Sequence, residues 1–334
     1  MSSEQEQFVA ALYRGILRRE PDSNGLNHHA QALRNGIPYL SVVEAFINSK
    51  EFSQSATIKL FVPPGHFYSP IVDPHEAARY LDARARNSAP ESLPGIAINR
   101  AEMVRTWQSL LPFLTTAPFP DEEDASFHYA FQNPSYSFGD GSVLHAMLRL
   151  YRPKRFIEIG SGYSSACTFD TVQQFLNGEC RLTFIEPYPQ LLRDCLRDVK
   201  DNICILDKPV QEVDLKVFDE LESGDILFID STHILRTGSD VCFELFEILP
   251  RLAQGVLVHF HDMFWPFEYP RQWVVDENRS WNELYAMRAF LTNNHAWRFI
   301  IFNDYLTKLE LRMIQTTYPK FLQNSGGSLW LQRR

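Results

Sequence analysis

Between residues 155 and 260 the chain alternates five short apolar runs with four amphipathic stretches, an order that few folds accommodate. The runs Arg155–Ile159, Arg181–Glu186, Ile203–Leu206, Asp225–Asp230 and Gly255–Phe260 have strand length. Helical spacing falls between them, at 164–176, 190–199, 213–221 and 240–250. Strands joined through helices run parallel, so the pattern predicts an α/β, doubly wound, mostly parallel sheet with helices on both faces. A helix over 280–293 opened by a capping box Ser280-x-x-Glu283, a strand Trp297–Phe302 and a last strand near Leu329–Gln332 would complete seven strands.

The chain ahead of this region reads differently. Phe8, Val9, Leu12, Tyr13, Ile16 and Leu17 keep to one helical face, Glu20–Gly25 interrupts, and Leu26, Ala30 and Leu33 resume. Leu40, Val43, Phe46 and Ile47 mark a third helix. Prolines at 63, 64, 70, 74, 90 and 94 mark a linker with one short helix near 76–86, and 100–116 is helical in pattern. The expected organisation is a small all-helical accessory domain at 1–56, a linker at 57–95, and an α/β domain at 96–334 whose core starts near 134.

Composition narrows the partners. A net charge of −9 gives no counterion-releasing surface, so nucleic acid is excluded as a primary partner. No apolar run approaches the ~20 residues that span a bilayer, and the first seven residues do not resemble a secretory leader. Five cysteines without a C-x-x-C pair point to a reducing, cytoplasmic setting, with Cys167 and Cys242 expected in the core. The chain is rich in aromatic residues, and Phe264, Trp265, Phe267, Tyr269 and Trp273 follow the fifth strand directly. They are expected either to line an acceptor pocket or to pack against the 100–116 helix.

Ligands of open α/β sheets bind beyond the carboxyl ends of the strands, and polar residues gather at those ends here. The first strand ends in Glu158-Ile-Gly160-Ser161-Gly162, the second in Glu186, the fourth in Asp230-Ser-Thr-His233, the fifth in His259-Phe-His261-Asp262. Gly160 and Gly162 permit a tight turn and close approach of backbone to a ligand, and the next helix offers unpaired N–H groups. Glu186, 26 residues beyond Gly160, suits the hydroxyls of a ribose. Glu158 decides between nucleotide cofactors: a carboxylate there repels a pyrophosphate and suits an ammonium and a sulfonium, which favours S-adenosylmethionine over NAD.

The segments RFIEIGSGYSS, LTFIEPYP, DILFIDSTH and VLVHFHDMFWPFEYP together resemble the ordered motifs of class I S-adenosylmethionine-dependent methyltransferases, nearest a bacterial O-methyltransferase subgroup. The resemblance implies a seven-stranded Rossmann-like sheet. It places Gly160, Ser161 and Gly162 by the methionine moiety, Glu186 on the ribose and Gln211 near the adenine. Asp230 and His233 resemble a D-x-x-H pair, which implies an acid that serves cofactor, metal and catalysis, followed by a general base. By the same resemblance Asp230, His261 and Asp262 would hold a divalent ion, magnesium or manganese, although His261-Asp262 departs from the usual Asp-Asp or Asp-Asn. The segment LYRGILRREPDSNGLNHHAQALRNGIPYLSVVEAFINSKEF resembles a short helical domain of unknown function, which implies an interaction role and no chemistry.

The expected function is O-methylation of a hydroxyl on a small molecule, sugar or glycan. The N-terminal domain would serve a protein partner or a homo-oligomer. Three alternatives use the same residues: an NAD-dependent oxidoreductase, a non-catalytic cofactor-binding protein, and an iron-dependent hydroxylase built on His259, His261 and Asp262. The hydroxylase requires the fifth strand to end before His261, because alternation otherwise turns His261 and Asp262 to opposite faces. His259 shares strand parity with His261 and is expected to be a hydrogen-bonded core residue.

Overall fold

A computed structural model describes residues 3–17, 19–55, 61–197, 199 and 203–334, and the chain forms two compact units, Met1–Asp73 and Pro74–Arg334. The boundary expected at 56/57 lies outside the described residues. The first unit holds α1 (Glu4–Gly15), α2 (Ser23–Arg34), α3 (Tyr39–Ile47) and α4 (Lys50–Ser55) around Val9, Tyr13, Leu17, Ala30, Leu33, Val42 and Phe46. Its motif residues serve the fold. Asp22 accepts from the Gly25 amide at 2.8 Å and caps α2. Arg19 Nη2 reaches Glu51 at 2.9 Å. A Cβ on Gly25 would stand 2.0 Å from the Tyr13 hydroxyl, so the turn needs glycine there.

The second unit opens with α5 (Pro74–Ala85), α6 (Arg100–Leu114) and α7 (Phe138–Tyr151). Its sheet comprises β1 (Arg155–Ile159), β2 (Arg181–Ile185), β3 (Ile203–Leu206), β4 (Ile226–Ile229), β5 (Leu257–Phe260), β6 (Trp297–Phe302) and β7 (Leu329–Arg333). The spatial order is β3-β2-β1-β4-β5-β7-β6, parallel throughout except that β7 runs antiparallel between β5 and β6. This is the expected doubly wound, seven-stranded Rossmann-like sheet. The order reverses at β1, with β2 on one side and β4 on the other, so a crevice opens above their carboxyl ends.

The connecting helices are α8 (Tyr163–Phe175), α9 (Gln190–Cys195), α10 (Lys216–Asp219), α11 (Asp240–Phe243), α12 (Glu283–Leu291), α13 (Asn303–Leu309) and α14 (Leu311–Thr317). Phe156, Phe184, Phe228 and Phe260 fill the sheet's interior. Three sequence expectations change. The helix expected over 213–221 is a single turn, α10. The capping box at Ser280-x-x-Glu283 does not form: α12 starts at Glu283 behind Asn282 without a side-chain cap, and the Glu283 carboxyl is committed elsewhere. Cys242 is only half-buried, whereas Cys167 is in the core.

Candidate functional site

The crevice is shaped by the turn after β1. Gly160 adopts φ +79°, and a Cβ there would lie 1.8 Å from the Asp230 carbonyl oxygen. Only glycine lets the ends of β1 and β4 come this close. Glu186, at the end of β2, accepts from the Ser161 amide at 3.3 Å and the Tyr188 amide at 2.8 Å, which ties the first two loops together. Gly162 N–H donates to Ser165 Oγ at 3.1 Å as α8 begins. Gln211 is exposed after β3 and donates to the Gly238 carbonyl at 2.9 Å.

Glu158 is fully buried at the foot of this turn. Ser164 donates to its Oε1, while Oε2 and, three residues on, Ser161 Oγ are buried without a hydrogen-bond partner among the described residues. Burial pushes the Glu158 carboxyl up to about 8, against the pull of Ser164 and Ser165. Two orphaned oxygens beside a glycine turn are the chemistry that accepts an ammonium group, so these residues fit the amino-acid end of S-adenosylmethionine.

Beyond β4 and β5 the sheet presents two imidazoles and two carboxylates. β5 ends at Phe260, and Asp262 turns into the left-handed region at φ +55°. Both His261 and Asp262 therefore reach the same place, contrary to what continued strand alternation would give. His233 also has positive φ, +61°. Its carbonyl accepts from the Asn282 and Glu283 amides, each at 3.1 Å.

Each ring is gripped from behind by a carboxylate. His233 Nδ1 lies 2.8 Å from Glu283 Oε2, which leaves Nε2 facing Asp262 Oδ2 at 3.4 Å and Asp230 Oδ1 at 3.6 Å. His261 Nε2 lies 3.2 Å from Asp140 Oδ2 and its Nδ1 3.3 Å from Asp230 Oδ1. Asp230 keeps 27% of its side-chain surface accessible, against 14% for Asp262 and 7% for each histidine, so it is the face shown to a ligand.

The electrostatics follow from this packing. Burial alone would raise Asp230, but His261 and His233 hold it down at about 2. Burial would lower His233, yet Glu283, Asp230 and Asp262 raise it above its ordinary value. His261 is raised further, because Asp230, Asp262 and Asp140 outweigh burial. Asp262 and Glu283 are both pushed up by burial.

The sequence assigned Asp230, His261 and Asp262 to a divalent ion, and the structure gathers them into an ion-paired cluster instead. Among the described residues, no three or more His, Cys, Asp or Glu side chains are arranged to hold a metal. The reason lies in His261: both ring nitrogens face carboxylates, so neither has a lone pair to give. The metal assignment does not fit these residues. His259 is a core residue: Nε2 meets Ser328 Oγ at 2.9 Å and the ring stacks on Phe228 at 3.8 Å, away from any shared centre with His261 and Asp262.

The aromatic run divides between core and site. Trp265 is buried and packs on Phe302 and Tyr305. Tyr269 and Trp273 instead pack on Trp281, which lies 4.4 Å from His233, and Tyr136 lies 5.2 Å from His261. Trp281, Glu283 and Asp140 were missed in the sequence. Asp140 carried no signal, being one acid in an apolar helix. Glu283 carried a misleading one, since its spacing from Ser280 imitates a cap.

A methyltransferase-domain family model matches residues 157–263, and a model for a domain of unknown function, DUF4214, matches residues 2–56. An uncharacterised protein of Archaeoglobus fulgidus is 34% identical over 172 residues, covering 50% of this chain and 76% of that protein. Among solved structures, an S-adenosylhomocysteine-bound methyltransferase of Podospora anserina aligns at TM-score 0.38 and 13% identity, over 82% of this chain and 99% of that one. An O-methyltransferase of Streptomyces achromogenes, involved in tomaymycin synthesis and solved with S-adenosylmethionine, aligns at TM-score 0.37 and 12% identity, over 71% and 91%.

Proposed function

The chain belongs to the class I S-adenosylmethionine-dependent methyltransferases, and on that premise we propose that it methylates a hydroxyl of a small-molecule, sugar or glycan acceptor with His233 as general base. The observation that carries this reading is the Glu283–His233 pair: Nδ1 is occupied at 2.8 Å, and Nε2 faces Asp262 at 3.4 Å and the more accessible Asp230 at 3.6 Å. When bound, S-adenosylmethionine supplies an electrophilic methyl group on a sulfonium.

Everything else falls to the chain. Glu158 and Ser161 would take the amino group, the Gly160–Gly162 backbone would lie along the methionine, and Glu186 would accept from the ribose hydroxyls. Gln211 is the candidate at the adenine edge, with its amide oxygen available. Asp230 would orient the acceptor hydroxyl, and Nε2 of deprotonated His233 would receive its proton. Glu283 keeps the imidazole aligned while it gains charge. Alignment of the two reacting groups would supply most of the acceleration. The helical module at the N-terminus is proposed to recruit a partner or a second copy, with no part in the chemistry.

Calorimetric titration with S-adenosylhomocysteine tests the cofactor assignment: binding in the micromolar range is expected, with no binding of NAD. Glu158→Gln and Glu186→Ala should each weaken it by roughly tenfold or more. Transfer of a labelled methyl group to a panel of hydroxyl and amine acceptors then tests the reaction type. Activity restricted to amines would overturn the O-methyl assignment.

A further inference from the structure

We propose that His261, held between Asp140 and Asp230, is a resident imidazolium that occupies the electrostatic place of a divalent cation, so that the site works without a metal. The role rests on the methyltransferase reading, but the charge state follows from the hydrogen bonds themselves. Asp140 Oδ1 accepts from the Ser328 amide at 3.0 Å, the Ser328 hydroxyl at 2.6 Å and Asn303 Nδ2 at 3.2 Å. Its Oδ2 accepts from the Gly327 amide at 3.3 Å and faces His261 Nε2 at 3.2 Å. Three of these partners, the two amides and Asn303 Nδ2, can only donate, and the Ser328 hydroxyl adds a fourth hydrogen bond, so Asp140 is an ionised carboxylate and His261 Nε2 must carry a hydrogen.

The other end of the ring obeys the same logic. His261 Nδ1 faces Asp230 Oδ1 at 3.3 Å and Asp262 Oδ1 at 3.6 Å, so an unprotonated Nδ1 would set lone pair against lone pair. With hydrogens on both nitrogens the ring is a cation and cannot ligate. Gly326 keeps the grip tight: at φ +68°, a Cβ there would stand 1.8 Å from Asp140 Oδ2, so the loop ahead of β7 is pressed onto the carboxylate. A fixed cation beside Asp230 does part of what a bound ion would do. It neutralises buried carboxylates and holds Asp230 in one orientation, with no exchangeable component.

The test uses the full-length protein. Nitrogen-15 NMR of the histidine rings should show an imidazolium with both nitrogens protonated that persists in His233→Gln, is lost in His261→Gln, and is unmoved by millimolar Mg2+ or by Zn2+ at stoichiometric levels. Purified protein should carry no stoichiometric metal by elemental analysis, and its S-adenosylhomocysteine affinity should not change with EDTA. His261→Asp adds a third carboxylate beside Asp230 and Asp262, an oxygen set suited to Mg2+ or Mn2+, and should bind Mn2+ roughly tenfold or more tightly than the native chain. One equivalent of metal on the native protein, or loss of the His261 N–H signals when metal is added, would overturn the proposal. If His261→Asp does not fold, Asp140→Asn serves instead, with the imidazolium signature expected to disappear. Failure to bind S-adenosylhomocysteine would sink the cofactor assignment and leave the ring's charge state to be read from the same spectra.

Discussion

At the scale of single residues the site is governed by two acid–base facts. His233 is raised above its ordinary value; burial works against the rise, and Glu283 with the two aspartates overcomes it. The ring therefore keeps its proton to higher pH than a free imidazole, and only the neutral form can take a proton. Methyl transfer should rise with pH through a limb above 6.5, since His233 must first lose its proton. Glu283→Gln removes the leading cause of the rise, so the limb should move to lower pH while the KM for cofactor stays within about twofold. His233→Ala should cost ~10²–10⁴ in kcat, the usual worth of a general base. A pH profile unchanged in Glu283→Gln would dismiss the pairing.

Glu158 supplies a second residue-scale prediction. Its carboxyl titrates near 8 in the folded chain and at 4.5 ordinarily, so the folded state binds the extra proton across that interval. Stability without cofactor should fall as pH rises from 4.5 to about 8 and level off above it. Glu158→Gln abolishes the dependence, and its Tm advantage over the native chain should widen by roughly 5–15 °C across the interval. Cofactor binding should reverse the preference, because an ammonium draws the carboxylate into its charged form. Below pH 8 binding would then release a proton, detectable as a calorimetric heat that varies with the buffer's ionisation enthalpy.

At the scale of elements, the strands and the turns between them differ in how openly the sequence declares them. β1, inside the sheet, is buried and reads as an apolar run, and β3, half-buried at the sheet edge, is apolar along its length, so both fall where Arg155–Ile159 and Ile203–Leu206 placed them. The glycine turn was legible for the same kind of reason: a missing side chain is a local fact. Gly160→Ala should therefore be costly. It combines ~1–2 kcal/mol of left-handed strain with a Cβ that stands 1.8 Å from the Asp230 carbonyl, and should lower Tm by roughly 5 °C or more while removing S-adenosylhomocysteine binding. Retained binding with an unchanged Tm would mean that the turn relaxes.

What stayed hidden was every relation set by long-range packing. Asp140 meets His261 across 121 residues and Glu283 meets His233 across 50, distances over which periodicity carries no information. The metal expectation lost its support at the same point. Asp230, His261 and Asp262 were correctly seen as near neighbours, but the partner that fixes the charge of His261 lies on α7, outside every motif. The aromatic run after β5 did not declare which of its rings face the site, because that depends on partners the run does not encode: Phe302 and Tyr305 for Trp265, Trp281 for Tyr269 and Trp273.

At the scale of the whole molecule, the residues assigned to cofactor and catalysis all lie in Pro74–Arg334, while Met1–Asp73 has its own core, with seven buried side chains among the described residues. A core of that size leaves little margin, since small domains bury a modest share of their surface. Tyr13 is its keystone: 5% exposed, edge-on to Phe46 at 4.8 Å, with its hydroxyl against Gly25. Tyr13→Ala should cost ~3–5 kcal/mol, enough to unfold that unit at room temperature. The site residues keep their contacts with one another, so S-adenosylhomocysteine should bind the variant within about twofold of the native affinity. Calorimetry separates the two effects: the transition that ligand shifts upward should persist, and the transition that ligand leaves in place should vanish. A tenfold loss of affinity would instead make the helical unit a structural requirement of the cofactor site, and its role would then have to be sought in the chemistry.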